Sequence, residues 1–373
     1  MFQALDPDAY HRVLPLCAAL DCHLAPRAIA ARAAEGCVFV DDPARPTVAL
    51  VCNAHRYYLT GRPDDDAFRE GLRRFFLEDV YPRAQAAGAP VMFVVHYDYA
   101  PGWEEVVPTI LAGKHPLAER RRYLEWSEPV ADRDTPLPEG YRLRAVGAGL
   151  LAEEGLANLD ALREEMCSER DSVDEFLSRS FGYCAIHGEE IAAWCLSEYN
   201  VGDRCEVGIE TVPAHRRRGL GTAVASALLE EAAARGIRRV GWHAWAENAA
   251  SIATARRAGF GGETEYAVYY AWFDEAANLA VNGNVRLRAG DYAGAAEWFG
   301  RALGGERPAP WIRFCAACAY ARVGRADEAL AALRDAVAGG WRDAEAIRRS
   351  PHLEALHGTA GWRDLLAGLE GGA

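Results

Sequence analysis

With 373 residues, the chain is long enough for two or three domains, each with its own core. Apolar residues make up 50% and charged residues 25%, the balance of an ordinary globular protein. The net charge of −13 argues against a general affinity for nucleic acid or anionic lipid and leaves a neutral or cationic partner easier to accommodate. No run approaches the ~18 apolar residues of a membrane-spanning helix, and MFQALDPDAYHRV lacks the order of a secretory signal, so a cytoplasmic protein is expected. The ten cysteines are scattered and read as buried thiols. Cys17, Cys22 and His23 have no second ligand pair nearby, so no metal site is expected, and Cys315-x-x-Cys318 falls in a helical pattern.

The first segment, residues 1–131, alternates strand and helix patterns. CVFVDD (37–42), TVALVCNA (47–54), YYLTG (57–61) and VMFVVHYD (91–98) read as strands, as does RRYLEWSE (121–128). A helix is expected over 66–88 and another over 103–111. The loop TGRPDDD (60–66) puts three aspartates where a strand hands over to a helix, a place that would repel an anion. The proline- and glycine-rich stretch 130–143 separates this segment from the next.

Residues 136–273 begin with a strand at 141–146, an acidic helix over 149–166 (GLLAEEGLANLDALREEM) and a short helix at 172–180. Strands follow at 183–188, 191–199 and 205–212. Then comes HRRRGLGTA (215–223) and a helix starting near Leu220. Strand 238–246, helix 248–260 and strand 264–273 complete the segment. A basic-x-x-Gly-x-Gly string means little alone, but its place between a strand and a helix gives the glycines a reason. Gly219 and Gly221 let backbone N–H groups converge at the positive end of the helix, with Arg216, Arg217 and Arg218 at the mouth. That arrangement suits a pyrophosphate.

In the last segment, 274–373, residues 287–303 and 321–337 align with an offset of 34: Gly290 with Gly324, Ala295 with Ala329, Phe299 with Leu333, Ala302 with Ala336. This is the tetratricopeptide (TPR) period. Two repeats and a final helix near 351–369 predict an all-α TPR-like helical cap that either braces the preceding domain or binds a partner.

Strand-Val212-Pro213-x-x-Arg216-x-x-Gly219-x-Gly221-Thr222, followed after the next strand by Asn248-x-x-Ser251 and Gly259-Phe260, resembles the GNAT superfamily of acyl-CoA N-acyltransferases. Residues 30–273 further resemble a bacterial subgroup that includes a zwittermicin-resistance acetyltransferase. The resemblance implies an α/β (α+β) GNAT fold over 136–273, a mixed twisted sheet flanked by helices. It also implies a degenerate GNAT-like α/β domain before it. The implied cofactor is acetyl-CoA, lying across splayed strands 205–212 and 238–246. Backbone groups near Thr211 and Val212 would hold the pantetheine, those of residues 217–222 (Leu220 among them) the pyrophosphate, and Asn248 with Ser251 the pantetheine arm. Many members carry a tyrosine seven residues after that asparagine to protonate the departing thiolate; here the position is Ala255. Tyr266, Tyr269, Tyr270 or water must substitute.

Acyl transfer to an amine also needs a base. Glu206, Gly208 and Glu210 share one face of strand 205–212. Glu206 is the first candidate, Glu210 the second and His243 the third, although His243 is expected to pack against Trp242 or Trp245. Asp160, Glu164 and Glu165 are candidates for contact with an ammonium group. The expected function is N-acetylation of a small cationic amine, a metabolite or an antibiotic, by direct attack in a ternary complex. The alternatives are protein or peptide acetylation with the TPR-like segment recruiting the target, and a catalytically silent CoA-binding module.

Overall fold

The computed structural model describes residues 1–88, 91–127, 136–153, 155–305 and 308–371. Residues 130–135 of the expected hand-over at 130–143 lie outside them. Two compact units emerge. The first gathers Met1–Arg73, Val94–Ile110 and Ala118–Tyr269, and the second gathers Arg74–Phe93, Leu111–Leu117 and the chain from Tyr270 onward.

The first unit is built on one mixed sheet. Its strands are β1 (Gln3–Ala4), β2 (Cys37–Val40), β3 (Val48–Asn53), β4 (Arg56–Gly61), β5 (Met92–Tyr97) and β6 (Leu117–Ser127). They continue with β7 (Tyr141–Ala145), β8 (Gly182–His187), β9 (Glu190–Val201), β10 (Arg204–Thr211), β11 (Arg239–Trp245) and β12 (Gly261–Trp272). The order across the sheet is β1-β2-β3-β4-β5-β12-β6-β11-β10-β9-β8-β7. Parallel pairs occur at β4–β5 and β10–β11, and the last strand of each half sits inside the other half's run.

Alternation along β10 decides what each face meets. Cys205, Val207 and Ile209 turn toward the core formed with Leu220, Val224 and Leu228 of helix Leu220–Ala234. The opposite face carries Glu206, Gly208 and Glu210. The acidic helix expected over 149–166 is instead two short helices, Ala148–Leu151 and Leu159–Met166. Ala157 and Asn158 leave helical geometry because they dock on the sheet. Ala157 bridges Glu190, and Asn158, at φ 65°, donates its side-chain amide to the Ile191 carbonyl at 3.0 Å.

In the second unit, helices Glu275–Arg288, Tyr292–Leu303, Pro310–Arg322 and Ala326–Ala338 form two successive pairs, followed by Ala344–Arg349 and Ala360–Gly371. Positions 34 apart are equivalent in burial: Ala295 and Ala329, Phe299 and Leu333, Ala302 and Ala336 are all fully buried. Small residues at these sites let the helices approach closely.

Candidate active site

Strands β10 and β11 run together only from Arg204–Arg239 to Glu206–Gly241. Beyond that pair β10 stays with β9 and β11 stays with β6, so the sheet opens into a fork. A bulge between Arg204 and Glu206 lies at its root. One side of the fork leads to a cleft of about 520 Å³ lined by residues of β10, the following loop and helices Leu220–Ala234 and Ala249–Ala258.

Of the residues expected to bind a cofactor, Thr211, Arg216, Arg217, Gly219, Leu220, Gly221, Thr222, Asn248 and Ser251 line this cleft; Val212 and Arg218 do not. Gly219 caps the helix N-terminus at φ 82°, a conformation costly for most residues, and offers no side chain to the first N–H groups. Those groups belong to cleft-lining residues. Arg216 turns back, bonding the Thr211 carbonyl at 2.9 Å and Glu210 at 3.0 Å. Asn248 caps helix Ala249–Ala258 by accepting from the Ser251 N–H, while the Ser251 hydroxyl accepts from Trp242 Nε1. The sequence reading missed His215. It is buried at the root of the loop, with Nδ1 2.7 Å from the Tyr141 hydroxyl and Nε2 3.1 Å from Glu190.

Of the three candidate catalytic side chains, Glu210 stands apart from Glu206 and Tyr266. Glu210 is half-exposed in its ion pair with Arg216 at the cleft. Glu206 is buried at the fork, where Oε1 accepts the Leu24 N–H at 2.5 Å and lies 3.3 Å from His243 Nε2. The other ring nitrogen of His243 is 2.8 Å from the hydroxyl of Tyr266, which is 3% exposed. Burial pushes the Tyr266 pKa up. The expected packing of His243 against Trp242 is not formed. Strand alternation sends Trp242 to the other face, against Phe260, and the Trp245 ring lies under Arg121. His243 instead stacks on His23, with ring centroids 5.1 Å apart and planes 7° apart, and meets Tyr123. Of the alternative acids, Tyr269 donates its hydroxyl to the Glu104 carbonyl. Ala255, the position of the missing tyrosine, is sealed in the core.

Around Gly208 the face turns acidic. A Cβ there would lie 2.2 Å from a Glu198 oxygen and 2.8 Å from a Glu165 oxygen, so the glycine lets two carboxylates converge. Glu198 is directly opposite Glu206 in the β9–β10 register. Burial, then the neighbouring Glu169, holds the Glu198 pKa well above the usual carboxylate range. Glu165 is raised by burial, and Glu169 is raised by burial despite its ion pair with Arg56. Asp160, in contrast, is exposed and pairs with Arg163.

The family model for GNAT acetyltransferases matches residues 15–269. The chain belongs to the GNAT acetyltransferase family. It is therefore an acyltransferase. A GNAT relative, the uncharacterized N-acetyltransferase YdfB of Bacillus subtilis (strain 168), is 27% identical over 237 residues, spanning 63% of this chain and 85% of that protein. Among solved structures, a GCN5-related N-acetyltransferase-like protein from Streptococcus suis 89/1591 is similar at 18% identity and TM-score 0.49, over 71% of this chain and 98% of that one. A GCN5-related N-acetyltransferase from Sphaerobacter thermophilus is similar at 17% identity and TM-score 0.49, over 73% and 95%. Among the described residues no helix is long and apolar enough to cross a membrane.

Proposed function

We propose that this GNAT enzyme transfers the acetyl group of acetyl-CoA to a primary amine of a small cationic metabolite or antibiotic, by direct attack with both substrates bound. The observation that carries this reading is the fork: a buried carboxylate, Glu206, stands at its closed end and a helix N-terminus with no side-chain cap lines its cleft. The N–H groups of Leu220, Gly221 and Thr222, with Arg217 beside them, would hold the pyrophosphate. Asn248 and Ser251 would flank the pantetheine arm. Bound acetyl-CoA supplies an activated carbonyl and a thiolate leaving group. Glu206 takes the proton of the attacking amine, Tyr266 is the proton donor in place of the missing tyrosine, and N–H groups at the bulge face the developing oxyanion. Glu165 and Glu198 place carboxyl oxygens on the neighbouring face that would accept hydrogen bonds from an ammonium group.

The first half of the chain is, in this reading, a degenerate copy of the fold. Its parallel pair β4–β5 parallels β10–β11, but the Gly61 N–H and the Thr60 hydroxyl are already taken by the buried Asp98 carboxylate, at 2.7 and 2.8 Å. The second unit is TPR-like on its 34-residue helical pairs. That unit also motivates the other reading, acetylation of a peptide it recruits. A panel of polyamines, aminoglycoside-like amines and peptides, scored by CoA thiol release, separates the two. Turnover of small amines with kcat/KM falling as salt rises is expected. Acetylation of peptides alone would overturn the proposal.

A further inference from the structure

We infer that His243 joins Glu206 to Tyr266 as a proton relay, so that the proton taken from the amine is the one that replaces the proton given to the leaving thiolate. This rests on the functional reading above. The two groups that must lose and gain a proton during acyl transfer are the two ends of one hydrogen-bonded chain. Tyr266 Oη lies 2.8 Å from His243 Nδ1, and His243 Nε2 lies 3.3 Å from Glu206 Oε1. All three side chains are largely buried, and the relay residue stands on β11 just past the last pair of the fork.

The surroundings hold the ring in place. His23 stacks nearly parallel on one face, Tyr123 tilts against it, and the Leu24 N–H pins the same Glu206 oxygen that the ring addresses. His23 and His96 are themselves buried, and burial pushes both toward the neutral form. They crowd the chain without adding a fixed charge. The raised Tyr266 pKa gives the relay its purpose. A tyrosinate is costly in that position, so a donor there works best if it is refilled as it gives.

The neutral amine forms the C–N bond and the thioester C–S bond breaks. The amine proton passes to Glu206, and Glu206 hands it to His243 Nε2. Nδ1 gives its proton to Tyr266 as the hydroxyl proton of Tyr266 goes to sulfur. Glu206 ends as carboxylate and Tyr266 as hydroxyl. The ring has exchanged one tautomer for the other and resets by exchanging one proton with solvent. His243 touches neither substrate; it is a positioning residue that acts through its neighbours.

The test uses the full chain with acetyl-CoA and spermidine. His243→Asn keeps a group near Tyr266 and His243→Gln keeps one near Glu206, but neither conducts a proton. Each should lower kcat by ~10²-fold or more with little change in the KM for acetyl-CoA. Tyr266→Phe/His243→Asn should be no slower than the slower single variant. The proton inventory of kcat in mixed light and heavy water, curved for the wild type, should become linear in either His243 variant. Ring-nitrogen NMR of the ligand-free protein gives a readout without turnover: Tyr266→Phe should shift His243 Nδ1, and Glu206→Gln should shift Nε2. Wild-type kcat in either His243 variant, additive losses in the double variant, or ring nitrogens indifferent to both substitutions would overturn the relay. If wild-type protein does not acetylate spermidine, the acceptor reading fails and the ring-nitrogen shifts alone decide the relay.

Discussion

Replacing Gly219 with aspartate places a carboxylate at the N-cap of helix Leu220–Ala234, beside the proposed pyrophosphate. Aspartate tolerates left-handed backbone better than most residues, and a Cβ at this position meets nothing within 4 Å, so the variant should fold. Two unit charges 4 Å apart repel by about 1 kcal/mol in water and about 4 kcal/mol at the effective dielectric of a protein surface. Gly219 is exposed, so the lower figure is the safer one. Against two phosphate charges it amounts to roughly 2 kcal/mol, or ~30-fold in affinity. CoA at ~100 times the wild-type Kd stabilises the native protein by about 2.7 kcal/mol; at the same concentration the variant should gain under ~1 kcal/mol. The assay is thermal melting with and without CoA, backed by calorimetric Kd values. Gly219→Asn separates charge from bulk and should keep more of the gain. A folded Gly219→Asp protein stabilised by CoA as strongly as the wild type would refute the cradle, and equal losses for Asn and Asp would refute the electrostatic argument.

Glu206→Gln should lower kcat by ~10²–10⁴-fold and remove the acidic limb of the pH–rate profile; wild-type activity would move the base to Glu210. Titration calorimetry should find one CoA per chain, because Asp98 occupies the corresponding turn of the first half; two per chain would contradict that. Glu165, Glu169 and Glu198 hold protons more tightly in the folded state than in the unfolded chain. Their contribution is intact below the ordinary glutamate pKa and is lost as pH rises through the raised values. Glu198→Gln should therefore flatten the fall in melting temperature as pH rises above the ordinary glutamate range; an unchanged slope would show that the cluster does not govern it.

The strand–loop–helix frame of the cleft was legible because its signals are local. A strand, a loop with Gly219 and Gly221, and a helix follow one another directly between Arg204 and Ala234, and the period switches from two to 3.6 where the loop falls. Alternation on β10 likewise singled out Glu206. What sequence reasoning missed is held together over long separations. Leu24 meets Glu206 across 182 residues, and His23 reaches His243 from the other half of the chain. Neither has a neighbouring motif, and His23 was weighed only as a metal ligand. The broken acidic helix failed for a related reason: its helical propensity yields to pairing of Ala157 with Glu190, a tertiary bond that no local window contains.

The sheet order β5-β12-β6-β11 also governs how the chain must be made. Emerging from the ribosome, the first half holds β1 to β5 but lacks the neighbour that β5 will have, because β12 is synthesised more than 160 residues later. Its own last strand, β6, waits more than 110 residues for β11. Until then an edge strand stands open to any other chain passing nearby. Folding of this sheet should be late and slow, and truncation ahead of β12 should produce aggregation rather than a smaller working enzyme.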